Sequence, residues 1–214
     1  GLVSYKVRGV ELLKSQPRPN FWRAPIDNDR GFGMQMEYGK WKLAGDYSRC
    51  IDVKVNDNSS KTGAERYVEV VYTYALGMAG MGECLVSYKV FEDGFVKTTL
   101  SYETKEANFD MPEFGMMFKT DADFDHLTWY GAGLSETYED RRSGAKIGLF
   151  SNKVEDNMAP YLVPQECGHK VNVRFAKVTD RKGRGLLFVS EKQTDPTLGE
   201  SKAAENSVVT DRYM

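Results

Sequence analysis

Residues Glu83–Tyr102, ECLVSYKVFEDGFVKTTLSY, decide the fold. Cys84, Val86, Tyr88 and Val90 alternate with Leu85, Ser87 and Lys89. A period of two places successive side chains on opposite faces of an extended strand. Glu92-Asp93-Gly94 then turns the chain, Asp-Gly being a strong hairpin signal. Val96, Thr98, Leu100 and Tyr102 return antiparallel. The same period extends in both directions. Upstream, Val68, Val70, Tyr72 and Tyr74 share one face of a long strand, and Ile51, Val53 and Val55 alternate with Asp52 and Lys54. Downstream, Phe114, Met116 and Phe118 alternate, and further strands are expected over 127–130, 145–150, 171–178 and 185–190. Residues 3–7 and 10–13 read as a short hairpin around Arg8-Gly9.

The connections are polar or glycine-rich, as in NDNSSKTG (56–63) and GMAGMG (77–82). One or two helical turns are expected over Met34–Leu43, where Met34, Tyr38 and Trp41 recur at helical spacing; Gly39 weakens them and Gly45 can end them. After Glu191 the chain is polar, with Val208 and Val209 marking one more possible strand. About ten strands with almost no helix predict an all-β, antiparallel two-sheet sandwich. No βαβ alternation occurs, which excludes a TIM barrel or a Rossmann fold. Residues 1–214 are expected to form a single domain.

The 214 residues include 41% hydrophobic ones, enough for a core, and carry a net charge of −2, which argues against a nucleic-acid partner, since that would need a clustered basic surface. No run of about 18 apolar residues is present, so no transmembrane helix is expected. Gly1 is not followed by a signal-like segment, and the sequence reads as a piece of a longer chain. Cys50, Cys84 and Cys167 are too few and too far apart for a disulfide framework or a metal knot. Composition leaves the compartment, cytoplasmic or periplasmic, undecided.

Two polar-aromatic stretches stand out. In PNFWRAPIDNDRG (Pro19–Gly31), the prolines are expected to keep the chain out of regular structure. Asp27, Asn28 and Asp29 favour an Asx-turn, with Gly31 free to take positive φ. Phe21 and Trp22 are expected to anchor this loop by burial, with Arg23, Asp27 and Asp29 in an internal charge network. Arg23, Asp27, Asn28, Asp29 and Arg30 also offer the donors and acceptors that sugar hydroxyls use, so a self-satisfied loop and a sugar contact both stand. The second stretch groups Trp129, Tyr130, Glu136, Tyr138, Asp140 and Arg141. Aromatic faces with a few fixed polar groups suit a concave sugar site, or equally an inter-sheet packing corner.

Other candidates are thinner. Glu166 and His169, three apart in PQECGH, could supply the base and acid of a sugar epimerase, or be a structural partner of a nearby arginine and an exposed loop histidine. His126 is expected to face solvent or cap. Asp121, Asp123 and Asp125 lack the glycine and closing Glu of a calcium loop and read as a solvated turn. Cys167 lacks ligand-spaced partners and is expected to be inert.

FWRAPIDNDRG resembles the signature that opens the small-chain domain of bacterial β-galactosidases, in family 2 of the glycoside hydrolases. A second segment, Trp129–Arg174, agrees in order and spacing. It has a glycine-rich turn, then Glu136-Thr137-Tyr138, Asp140-Arg141, Pro160-Tyr161, Pro164-Gln165-Glu166-Cys167-Gly168 and Val173-Arg174. The resemblance covers residues 1–190, while 191–214 match it poorly, as though the domain were truncated. It implies a galactose-mutarotase-like supersandwich that leans over a catalytic barrel and borders its sugar cleft.

Further expectations follow from that resemblance. A glycosidase needs two carboxylates roughly 5–9 Å apart across the scissile bond. The resemblance places them in a barrel of about 250 residues that this chain lacks, so no residue here is expected to be catalytic. The implied carbohydrate-binding residues are Arg23, Asp27, Asn28, Asp29, Trp129, Tyr130, Glu136, Tyr138, Asp140, Arg141, Glu166 and His169. The parent enzyme is expected to hydrolyse terminal β-D-galactosides and to form a homo-oligomer. Its magnesium and sodium ions would be held outside this segment, which needs no cofactor. Galactoside would be met through the barrel, with no nucleic-acid or membrane partner. A cleft-lining Trp found in the family after the Gly-Leu-Leu-Phe strand has no counterpart, since no Trp follows Trp129. A purely structural interface domain and a stand-alone aldose epimerase are the alternatives.

Overall fold

The computed structural model describes residues 1–60, 65–77, 80–103 and 110–190, together with the backbone of 206–211. The chain opens with the hairpin of β1 (Lys6–Val7) and β2 (Val10–Glu11). Arg8 and Gly9 at its tip both take positive φ, 49° and 81°, which matches the twist of the flanking strands. Next, β3 (Ser15–Asn20) carries Pro17 and Pro19 and makes only a two-stranded ladder with β8 (Gly115–Lys119). Proline donates no ladder hydrogen bond, so such a strand belongs at an edge.

Three short helices follow: α1 (Asp27–Phe32), α2 (Met34–Glu37) and α3 (Gly39–Asp46). The helical turns expected over 34–43 are present, but α1 corrects the reading of 27–31 as an Asx-turn. Asp29 is the third residue of the helix, and its carboxylate accepts the Ile26 amide at 2.9 Å, satisfying a donor that the helix start leaves open. Gly31 lies inside α1, and the left-handed residue is Gly33, φ 79°, between α1 and α2.

The main sheet has nine strands. They are β4 (Arg49–Asp57), β5 (Tyr67–Ala75), β6 (Glu83–Phe91), β7 (Val96–Tyr102), β9 (His126–Ala132), β10 (Ile147–Lys153), β11 (Phe175–Thr179), β12 (Gly185–Ser190) and β13 (Asn206–Asp211). Their order is β10-β9-β11-β12-β13-β7-β6-β5-β4, antiparallel at every pairing. The β4–β7 meander and the β10-β9-β11-β12 group, in which β9 lies between β10 and β11, are thus joined by β13, the strand marked by Val208 and Val209. A 3-10 turn over Val154–Asn157 follows β10. The strand expected over 171–178 begins only at Phe175. Val171 is diverted to donate its amide to the Thr137 hydroxyl at 2.9 Å, and Asn172 has φ 55°.

The inner face of the sheet is covered by α3, the β3–β8 ladder and the β1–β2 hairpin. Phe21, Trp41, Ala44, Tyr74, Val86, Tyr88 and Leu100 form one buried cluster, with Trp22 partly buried against it. The Phe21 ring lies 5.8 Å from Trp41, 6.3 Å from Tyr102 and 6.2 Å from Phe114. Burying a phenylalanine contributes about 1.5–3 kcal/mol, so Phe21 anchors the stretch that follows it. A second cluster, Leu12, Leu13, Phe124 and Leu186, fills the β11–β12 half, where Phe118 meets Phe188 at 5.2 Å. The all-β class read from strand periodicity is the one observed. Among the described residues, no helix is long and apolar enough to cross a membrane.

Candidate functional site

The two polar stretches meet. Arg23 forks onto Asp29 with Nη1–Oδ2 2.5 Å and Nη2–Oδ1 3.2 Å, the carboxylate side chain being 8% exposed and the guanidinium side chain 29%. A bidentate pair of this kind fixes geometry as well as charge. Burial pushes the Asp29 carboxyl up, but the hydrogen bonds from Arg23 and the Ile26 amide hold it below its ordinary value. Asp27 corrects the expected network. It lies on the exposed side of α1 and, among the described residues, its carboxylate pairs with Arg30 alone, at 3.2 Å. Asn28 is exposed as well.

The stretch then docks on the 164–166 segment. The Ala24 amide donates to Glu166 Oε2 at 3.1 Å, the Asp27 amide donates to Gln165 Oε1 at 3.0 Å, and Arg30 donates to the Pro164 carbonyl. Glu166 therefore closes onto a backbone amide, not onto an arginine as the structural reading of it expected.

Glu136 is the hub of the second cluster. Its carboxylate accepts from Arg141 Nη2 at 3.1 Å, from the Gly168 amide at 2.9 Å and from the Tyr161 hydroxyl. Burial pushes its carboxyl up, and these donors, Tyr161 foremost, bring it below its ordinary value. Gly168 has φ 78°, and a Cβ there would meet the Asn157 carbonyl oxygen at 2.7 Å. Only glycine fits there while presenting its amide to Glu136. Thr137 and His169 exchange further bonds, the Thr137 amide to the His169 carbonyl at 2.8 Å and His169 Nδ1 to the Thr137 carbonyl at 3.0 Å.

Tyr138 is held between two partners. The His169 ring stacks on it at 5.1 Å and 19°, and the Arg141 guanidinium lies over it at 4.8 Å. With both neighbours stacked on it, the ring is not a free platform for a sugar face. Burial, then the nearby Glu136 and Glu166, push its hydroxyl up to about 12. Asp140 is exposed at the rim.

Trp129 and Tyr130 correct the expected grouping. Consecutive residues of a strand face opposite sides. Trp129 points inward, is 1% exposed, packs on Phe150 at 5.6 Å and lies under Lys170 at 5.0 Å. Tyr130 lies on the outer side, stacked on Phe175 at 6.1 Å with Arg174 over it at 5.2 Å. The two rings therefore do not form one exposed platform.

One participant has no signature in the sequence. Glu113, in the turn before β8, is pushed up by burial and then by the charge of Glu166, with Asn20, His169 and Arg23 also within its field. Each of those neighbours comes from a distant part of the chain, so no local period or motif marks Glu113. The charge of Glu166 is thus felt by Glu113 at the junction of the loops.

Among the described residues, no three His, Cys, Asp or Glu side chains are grouped to hold a metal ion. Asp121 pairs with Lys14 at 2.7 Å, and Asp125 with His126 Nδ1 at 2.6 Å. The cluster offers charged acceptors, guanidinium donors and a stacked aromatic, bordered by exposed apolar side chains. Leu162 is 102% exposed and Met158 76%, with Leu134 and Val163 exposed nearby in sequence.

The family model described as β-galactosidase small chain matches residues 1–209. The chain is 36% identical over 192 residues to a β-galactosidase of Halalkalibacterium halodurans, covering 88% of this chain and 18% of that protein. It is 38% identical over 188 residues to a β-galactosidase of Priestia megaterium, covering 87% and 17%. A β-galactosidase small subunit of Latilactobacillus sakei is 30% identical over 182 residues, covering 78% of this chain and 57% of that subunit. The chain thus spans less than a fifth of the length of the first two relatives.

Proposed function

The chain belongs to the β-galactosidase small-chain family, and on that premise we propose that it is an accessory β-sandwich of an enzyme hydrolysing terminal β-D-galactosides. The scissile-bond carboxylates lie outside this polypeptide. Its own part is to present the Arg23–Asp29, Glu136–Arg141–Tyr161 and Glu166–His169 groups as one rigid rim of the sugar cleft and to dock on the catalytic domain.

The observation that carries this reading is the cross-linking of two loop systems 142 residues apart through Glu166 and Ala24. A surface fixed to this degree is preorganised, so it orders a neighbour or a ligand at little further entropic cost. The exposed Leu162 and Met158 beside it favour the docking half of the proposal, because apolar side chains grouped on a polar-rimmed surface mark contact sites.

The test is reconstitution. The purified chain is added to β-galactosidase polypeptide that carries the barrel and lacks its small-chain domain. Regained hydrolysis of a chromogenic galactoside is expected. Arg141→Ala should raise KM severalfold with kcat less affected. Reconstitution that fails under conditions where the two polypeptides demonstrably bind each other would overturn the cleft role, and failure to bind would overturn the docking role.

A further inference from the structure

The outer face of the nine-stranded sheet is divided. Residues directly opposite on neighbouring strands share a face, so the strand registers define rows of side chains. Across β4–β7 the rows read Lys54–Val71–Ser87–Thr99 and Asn56–Glu69–Lys89–Lys97. Glu69 accepts from Ser87 at 2.7 Å and from Asn56 at 3.1 Å and faces Lys89 at 3.9 Å. That half carries its own satisfied polar network. Across β10-β9-β11-β12 one row reads Leu149–Tyr130–Phe175–Val189, with no ionisable side chain except the tyrosine. The next row is Ser151–Thr128–Lys177–Leu187. Leu149 is 66% exposed.

These rows border a groove of about 330 Å³, lined among others by Leu149, Phe175, Leu187, Val189, Thr128 and Lys177. Among the described residues, no Asp or Glu lines it. Lys177 has no hydrogen-bond or ion-pair partner among the described residues, and the Arg174 guanidinium over Tyr130 sets a second cation beside the apolar row. An apolar floor flanked by cations, with no acidic side chain among its described lining residues, complements a partner that is itself apolar and acidic.

We infer that this groove docks a segment of a partner polypeptide that presents two or three apolar side chains together with a carboxylate, which settles against Lys177. The volume fits side chains rather than a folded element. Polypeptide is the class of partner at hand, since relatives such as the Halalkalibacterium halodurans protein carry all but 18% of their length outside the match. The inference rests on the assembly reading for that class alone. Its surface is the opposite face of the sheet from Trp129, and its test reads binding rather than galactoside turnover.

The probes are two synthetic octapeptides, one alternating leucine with glutamate and one alternating leucine with lysine, titrated into the whole chain by fluorescence anisotropy. The acidic peptide is expected to bind and the basic peptide to bind at least tenfold more weakly. Lys177→Glu should reverse that preference, and Leu149→Ser, at an exposed position that leaves the core intact, should weaken the acidic peptide severalfold. Lys89→Glu, on the polar half, should change nothing. Equal binding of both peptides, no binding by either, or indifference to Leu149→Ser in a chain with unchanged melting temperature would overturn the proposal. Self-association of the chain that Leu149→Ser abolishes would assign the face to a second copy and would overturn it as well.

Discussion

Glu166 and Ala24 stand 142 residues apart in the chain, and the Glu166 carboxylate accepts the Ala24 amide at 3.1 Å. That bond, with the Gln165 bond to the Asp27 amide, makes one surface from two stretches that each looked self-contained. The side chains that hold this surface together can therefore be told from those that only line it.

Asp29 and Asp27 separate on this criterion. Asp29→Ala leaves Arg23 without its carboxylate in a mostly buried position. Breaking such a pair costs about 3–5 kcal/mol, and the partial exposure of Arg23 favours the lower end. The melting temperature should fall by about 6–12 °C, at about 2–4 °C per kcal/mol for a chain of this size. Asp27→Ala removes an exposed pair worth about 0–1 kcal/mol, and the shift should stay within about 3 °C. Equal losses in calorimetry would place Asp27 inside the network after all.

Glu113 gives a pH dependence of opposite sign to that of an ordinary salt-bridged carboxylate. Burial, and then Glu166, raise its carboxyl above the ordinary value of 4.5. The folded state thus binds the proton more tightly than the unfolded chain, and ionising Glu113 costs stability. The cost is absent below the unfolded value, grows as pH rises toward the folded value and is complete above it. Glu113→Gln should therefore melt higher than the wild type at pH 7, with the gap closing at pH 4. A variant that melts lower at both pH values would show that the ionised carboxylate is needed for packing.

Trp129→Ala and Tyr130→Ala test the two faces of β9. Truncating a fully buried tryptophan costs about 3–5 kcal/mol, and Trp129 is 1% exposed. Tyr130 lies on the outer face with its edge in solvent, and its loss should cost under about half as much. In the reconstituted enzyme neither change should alter KM beyond what instability explains. A KM effect specific to Tyr130→Ala would bring the outer face into the cleft.

An aldose epimerase needs its acid and base free. His169 Nδ1 is taken by the Thr137 carbonyl, its ring is stacked on Tyr138, and Glu166 is taken by the Ala24 amide. Polarimetry on fresh α-galactose should show no acceleration by the chain. An acceleration abolished by His169→Ala would revive that alternative.

Much of this was legible in the sequence, and the exceptions have physical causes. The alternation in 83–102 fixed two strands and their turn, because a half-buried strand must repeat every second residue. The pair Val208 and Val209 marked β13 but not its place between β12 and β7, since pairing order is set by contacts far apart in the chain. Asp27–Gly31 read as a turn because proline and Asx residues favour one. The helix formed because Asp29 lies three residues past Ile26, where its carboxylate can cap. Grouping Trp129 with Tyr130 failed by the same period of two that located their strand. Glu113 was invisible because burial by distant segments, not local spacing, gives it its character.

The most direct test of the central claim is turnover of a chromogenic β-galactoside by the purified chain alone, at high enzyme concentration and over hours. No turnover is expected, because the chain spans less than a fifth of the length of the first-named relatives and the scissile-bond carboxylates are proposed to lie in the remainder. Hydrolysis that tracks the chain through successive purification steps, and that falls on Glu113→Gln or Glu166→Gln, would contradict it and make the loop junction itself an active site.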